Sequence, residues 1–164
     1  KKVRGIEATT GSMGHGLPIG IGMALGAKRN NESWKVYVLL SDGELNCGTT
    51  WESMLLGAHH KLNNLIVIVD CNGFQATGTT KEVLNTNPID TKWEAFGWET
   101  RKINGHNFGQ IEKALSKQSE KPIVILAKTC KGKGVSFMEN NLDWHYRNIP
   151  KSLFKKAMKE FEYA

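Results

Sequence analysis

Two short segments carry the residue types that suit a hard cation: Ser41-Asp42-Gly43 and Asp70-Cys71-Asn72-Gly73-Phe74, each at the end of an apolar run. Mg2+ takes octahedral oxygen ligands, with one or two carboxylates completed by water and by phosphate oxygens. One aspartate, one amide oxygen and one backbone carbonyl therefore fit a metal whose other ligands come from a diphosphate. Thirty residues separate Asp42 from Asn72, the length of one strand-helix crossover, so adjacent strand ends would bring the two together. Gly43 lets the backbone approach a phosphate, and the helix after it can aim N–H groups at one. Taken alone, Asp42 also suits a helix N-cap or turn. Asn72-Gly73 equally suits a tight turn, which is compatible with metal binding.

The elements around these residues alternate. From Ala8 to Gly26 a Gly-rich turn feeds a helix, with Pro18 tolerated in its first turn. Gly20, Gly22, Ala24 and Gly26 weaken that helix unless another backbone or a ligand packs close. A dinucleotide fingerprint fails here, because Ile19 stands where a third glycine is required and no strand precedes the turn. Lys35 to Leu40 is expected to be a buried parallel strand ending at Asp42. Thr49 or Thr50 can cap the next helix, whose core stripe is expected to be Trp51, Met54, Leu55, Ala58 and Leu62. Leu65 to Val69 is a second buried strand that closes at Asp70, completing a strand-helix-strand unit.

After a polar loop, Ala76 to Thr80, the pattern predicts a helix around Thr91 to Phe96 and a strand from Trp98 to Ile103. Next come a Gly105-His106 turn, a helix from Phe108 to Ser119 with Ile111 and Leu115 inward, and a strand from Ile123 to Lys128. Ile149 to Phe161 is a terminal helix carrying Leu153, Ala157 and Phe161. The fold class is α/β, a mostly parallel sheet flanked by helices. Such sheets bind ligands at the carboxyl ends of their strands.

The 164 residues, 40% apolar and 23% charged, suit one domain with a single core. No apolar run approaches the roughly 20 residues that cross a bilayer. The segment Lys1 to Glu7 has charge but no apolar stretch of the secretory type. Cys47, Cys71 and Cys130 are odd in number and far apart, which argues against a disulfide framework and for a reducing cytoplasm. The net charge of +6 is scattered, and its densest group, Lys151 to Lys159, lies on a polar helical face, so nucleic acid is not an expected partner. His59-His60 point apart on a helix and are expected to be fillers, not metal ligands. His106 is expected to bond backbone in its loop. Cys47 and Cys71 are expected to be inert thiols. Trp51, Trp93 and Trp98 are expected to anchor the core or an interface. Lys131 and Lys133 belong to a flexible loop, since Gly134 breaks the phosphate-loop pattern.

Five blocks in order carry a resemblance. Besides Asp42-Gly43 with Asp70-Cys71-Asn72-Gly73, these are Gly11-Ser12-Met13-Gly14-His15-Gly16, Lys61 to Ile66, Asp90 to Trp98, and Lys131 to Glu139. Over nearly the whole chain the sequence resembles transketolase, in particular the amino-terminal subunit of split transketolases. The resemblance implies a single thiamine diphosphate-binding domain of the diphosphate (PP) type over residues 1–164, and an activity that moves a two-carbon ketol unit between sugar phosphates. Asp42, Asn72 and the Phe74 carbonyl would hold Mg2+, or another divalent cation such as Ca2+ or Mn2+. Gly43 would offer an N–H to the diphosphate beside Ser41. Gly11, Met13, Gly14, His15 and Gly16 would line the cofactor's aminopyrimidine side, with His15 equally suited to stabilising its turn. His145 would be the catalytic histidine near the diphosphate and substrate. The glutamate that activates the cofactor would come from a pyrimidine-binding, carboxyl-terminal partner subunit, in a dimer or heterotetramer. The family extends about a hundred residues ahead of the Gly-rich turn, so the chain is expected to be a fragment or unusually short.

Three positions depart from the family pattern. Ser41 replaces a glycine, Cys47 replaces an acidic residue that couples sites across the subunit interface, and Tyr146 replaces the glycine after His145. These departures keep a non-catalytic module with the same fold open as an alternative. Another thiamine diphosphate enzyme is a further one, either deoxyxylulose-phosphate synthase-like or a 2-oxo acid dehydrogenase subunit; the blocks at Asp90 and Lys131 favour transketolase.

Overall fold

Runs of β-branched and aliphatic residues become the inner strands, and the amphipathic segments between them become the covering helices. The computed structural model describes residues 3–162. In chain order it contains α1 (Gly16–Arg29), β1 (Val36–Ser41), a 3-10 turn (Gly43–Asn46), α2 (Gly48–His59), β2 (Leu65–Cys71), β3 (Phe74–Gln75), β4 (Gly78–Thr79) and α3 (Thr80–Leu84). There follow α4 (Ile89–Ala95), β5 (Glu99–Asn104), α5 (Phe108–Ser116), β6 (Ile123–Lys128), a second 3-10 turn (Leu142–His145) and α6 (Lys151–Glu162). No helix among the described residues is long and apolar enough to cross a membrane.

The main sheet is wholly parallel, in the order β1-β2-β6-β5. The α/β class expected from the alternation is therefore the one observed. One face carries the larger core: Leu17, Ile21 and Ala24 of α1 and Met54 of α2 pack with Val36, Val38, Leu40, Val67, Val69, Val124, Trp93 and Trp98. Each fully buried valine or leucine of this kind contributes about 1.5–3 kcal/mol. The opposite face carries a smaller cluster, in which Ala114 of α5 meets Ile66, Ile123 and Ile125, flanked by Ile68, Ile103 and Leu115. The carboxyl end of α5 is held by Arg101, whose guanidinium donates to the carbonyls of Ala114 and Lys117, the latter at 2.9 Å.

Four expectations are corrected. β1 is an edge strand buried on one face only: Tyr37 and Leu39 are 53% and 72% exposed, so the continuous apolar run does not mean burial on both sides. Of the helix glycines, only Gly20 meets the sheet closely, since a Cβ there would run into Val38; Gly22 and Gly26 face open space. The buried stripe of α2 is Thr50, Ser53, Met54 and Gly57, with Leu55 exposed. Small residues win there because a Cβ on Gly57 would lie 2.8 Å from Trp98 and 3.0 Å from Ile21, so the close approach of α1 to α2 selects them over leucine. Finally, the N-cap of α2 is Cys47, with no side-chain bond, because Thr49 and Thr50 turn their hydroxyls elsewhere.

Candidate functional site

Parallel pairing puts Ser41 opposite Asp70, which brings Asp42 to the last residues of β2 as the sequence spacing requires. The Asp42 N–H donates to the Asp70 carbonyl at 3.1 Å. The Asp42 side chain is buried, with Oδ1 accepting the Gly43 N–H at 2.9 Å and Oδ2 the Gly73 N–H at 2.7 Å. The second bond ties the ends of the two strands. It requires the turn that Gly73 makes at φ +81°, a conformation glycine adopts without strain. Asn72 donates from its amide to Asp70 Oδ2 at 3.0 Å and accepts the Phe74 N–H on Oδ1 at 2.8 Å. Phe74 lies in the β3–β4 hairpin, within the stretch expected to be a polar loop.

Gly43 and Ser41 differ from expectation. The Gly43 N–H, expected to face a phosphate, is engaged by its neighbour Asp42. Ser41 accepts the Glu44 N–H on its hydroxyl at 3.1 Å, so the extra oxygen caps the turn that follows the strand. Space is tight here: a Cβ on Gly43 would lie 2.9 Å from the Gln75 Cβ.

The Gly-rich turn docks on the same segment. Gly14 donates its N–H to Glu44 Oε1 at 2.8 Å and accepts the Thr49 hydroxyl at 2.9 Å. Gly14 is buried at φ +80°, and a Cβ there would strike Thr49 and come within 3.0 Å of the Cys47 Cβ. Gly11, Met13 and His15 remain exposed and Gly16 half-buried, which leaves the outer side of the turn free for a ligand. His15 Nδ1 lies 3.2 Å from the Met13 carbonyl, which favours its turn-stabilising reading. His145 is exposed, in the 3-10 turn that packs against β3, so the chain returns it to the hairpin of Phe74.

The electrostatics are those of a negative pocket. Burial above all, with the neighbouring Asp70 charge, pushes the Asp42 carboxyl above the usual aspartate range, against the pull of its N–H donors. Burial, then the charges of Asp42 and Asp70, raises the Cys71 thiol to about 12, which makes it inert as expected. A divalent cation is the group that would relieve this crowding. Among the described residues no three His, Cys, Asp or Glu side chains converge as a self-sufficient metal cage. The donor set of carboxylate, amide and carbonyl thus suits an oxygen-seeking cation that draws further ligands from a bound anion.

Other expected roles also find their places. His106 accepts the Cys130 N–H at 2.8 Å, and Trp93 and Trp98 are core residues stacked edge to face. Lys133 pairs with Glu139 at 3.2 Å in a folded turn whose Gly132 and Gly134 have positive φ, so this segment is better ordered than a flexible loop. Sequence reasoning missed Glu44, Thr49 and Thr129, and the part played by the Asp70 carboxylate. Glu44 had a visible signal in its place directly after Asp42-Gly43. Thr129, whose hydroxyl donates to Asp70 Oδ1, had none.

The family model described as the transketolase, thiamine diphosphate binding domain matches residues 1–162. One of the two subunits of the apulose-4-phosphate transketolase of Actinobacillus succinogenes is 44% identical over 152 residues, spanning 92% of this chain and 55% of that protein. A 6-deoxy-6-sulfo-D-fructose transketolase subunit of Clostridium is 36% identical over 165 residues, spanning 99% of this chain and 60% of that one. The crystal structure of Campylobacter jejuni transketolase superposes with a TM-score of 0.87 at 34% identity, covering 92% of this chain and 25% of that one. The chain spans little more than half the length of these curated relatives. With the family model matching nearly every residue and the fold agreeing, the chain belongs to the transketolase family, in its thiamine diphosphate binding domain.

Proposed function

We propose that this chain is the diphosphate- and cation-holding part of a thiamine diphosphate-dependent transketolase that moves a two-carbon ketol unit between sugar phosphates. The single observation that carries the reading is the pocket at the ends of β1 and β2, where buried Asp42 and the Asn72 amide meet with no neighbouring positive charge among the described residues. Asp42, Asn72 and the Phe74 carbonyl would hold Mg2+, with Ca2+ or Mn2+ as substitutes. The turn of Gly11, Met13, Gly14, His15 and Gly16 would line the organic part of the cofactor, and the Ser41–Gly43 segment would flank its diphosphate. When bound, thiamine diphosphate supplies the stabilisation of the transferred carbanion. This chain's work is to anchor, to orient and to exclude water, with His145 presented towards substrate.

The relatives named as subunits support a partner that carries the pyrimidine-binding domain, so that the complete enzyme is a dimer or heterotetramer. Residues 1–164 form one domain of it. The three free cysteines support a reducing, cytoplasmic setting.

Calorimetry with thiamine diphosphate, with and without Mg2+, tests the site, and product analysis with ketose and aldose phosphates against pyruvate tests the reaction. The expected result is Mg2+-dependent cofactor binding, with ketol transfer only when the partner is present. Full activity of the purified chain alone would overturn the division of labour, and no Mg2+-dependent binding even with the partner would overturn the site. One observation favours the non-catalytic reading. Cys47 lies against the Gly-rich turn where the family has an acidic residue, so communication between active sites would be lost first.

A further inference from the structure

Resting on the assignment of Asn72 as a cation ligand, we propose that Asp70 and Thr129 are positioning residues that fix the Asn72 side-chain amide with its oxygen, not its nitrogen, available to the metal. An asparagine amide has two nearly isosteric ends, and only the oxygen can ligate a cation. Two neighbours of opposite character decide which end points where. The Asp70 carboxylate can only accept, and it takes the Asn72 Nδ2–H at 3.0 Å. The Phe74 N–H can only donate, and it reaches Asn72 Oδ1 at 2.8 Å. A flipped amide would set oxygen against carboxylate and NH2 against N–H, losing both bonds. The oxygen has a second lone pair, so the Phe74 bond leaves it able to ligate.

Asp70 is itself braced. Its Oδ1 accepts the Thr129 hydroxyl, and the Thr129 N–H donates to the Cys71 carbonyl at 3.3 Å. Thr129 directly follows β6, whose last residue pairs with Cys71. A third strand that supplies no cation ligand therefore sets the angle of one, through a chain from Thr129 to Asp70 to Asn72. Such outer partners of metal ligands commonly affect affinity by about 10–100-fold.

The test uses the whole chain and the variants D70N, T129V and T129S, with melting curves to confirm folding. Mn2+ is titrated in the presence of thiamine diphosphate and followed by electron paramagnetic resonance. D70N and T129V are expected to weaken Mn2+ binding by about 10–100-fold, and T129S, which keeps the hydroxyl, to restore most of it. In the metal-free protein the Asn72 side-chain NH2 signals, assigned by their loss in N72D, are expected to shift in D70N and T129V but not in T129S. A merely structural role would lower the melting temperature of T129V without moving those signals. Equal Mn2+ affinity across the series, or unmoved Asn72 signals, would overturn the inference alone. An unaltered chain that takes up no Mn2+ would overturn the assignment of the site and this inference with it. If D70N does not fold, T129V against T129S decides.

Discussion

Asp42 is held by two N–H donors in a buried pocket, and the same burial makes its negative charge costly in the absence of a cation. Cation binding should therefore return more stability here than at an exposed carboxylate. Ligand at a hundred times its dissociation constant stabilises a fold by about 2.7 kcal/mol. Mg2+ with thiamine diphosphate is accordingly expected to raise the melting temperature of the unaltered chain by several degrees. D42A is expected to lose that rise entirely while folding without the ligands, as differential scanning calorimetry would show. A rise of equal size in D42A would remove Asp42 from the site. At Gly14 a different physics applies, because the positive φ and the clash of any Cβ with Thr49 leave room only for glycine.

At the scale of elements, α1 and α2 approach each other over Gly57, with Trp98 behind them donating its indole N–H to the Met54 carbonyl at 2.9 Å. Alanine is the better helix former by about 1 kcal/mol, yet the added Cβ would overpack Trp98 and Ile21. G57A is expected to destabilise by about 1–3 kcal/mol in urea titration, a sign opposite to propensity.

α6 docks differently, through Glu160, whose carboxylate accepts the Ser136 N–H and, at 2.8 Å, the Ser136 hydroxyl. Those bonds, the backbone one first, hold the Glu160 carboxyl below the usual glutamate range. A lowered folded value means that the contact contributes fully above the ordinary value of 4.5 and is lost as pH falls through the folded one. Hydrogen-exchange protection of α6 is expected to drop on acidification ahead of the β2 and β6 amides. E160Q is expected to show the lower protection already at neutral pH. An α6 that keeps full protection until the sheet itself opens would refute the role of Glu160.

For the molecule as a whole, the sheet is covered unequally. The face under α1 and α2 is closed, while the opposite face leaves Tyr37 and Leu39 of β1 in solvent beside the small cluster under α5. Exposed apolar side chains of this kind on an edge strand promote association. L39K is expected to change stability by no more than about 0.5 kcal/mol, because the side chain is already in water. It is also expected to lower both the binding of an apolar dye and self-association in sedimentation. A large loss of stability in L39K would show that the β1 outer face is packed in solution.

The sequence by itself determined the α/β alternation, the strands at Val36, Leu65 and Ile123, and the convergence of Asp42 with Asn72. These follow from local rules: apolar period, the reach of one crossover, and the glycine that a turn needs. Only the tertiary structure decided which strand lies at the edge, and hence that Tyr37 and Leu39 face water. It alone made Leu55 give way to Gly57, turned the Gly43 N–H to Asp42, and brought Thr129 to Asp70. Each of these is a contact between segments far apart in the chain, or a choice among hydrogen-bond partners that local sequence offers equally, so no periodicity or motif records it.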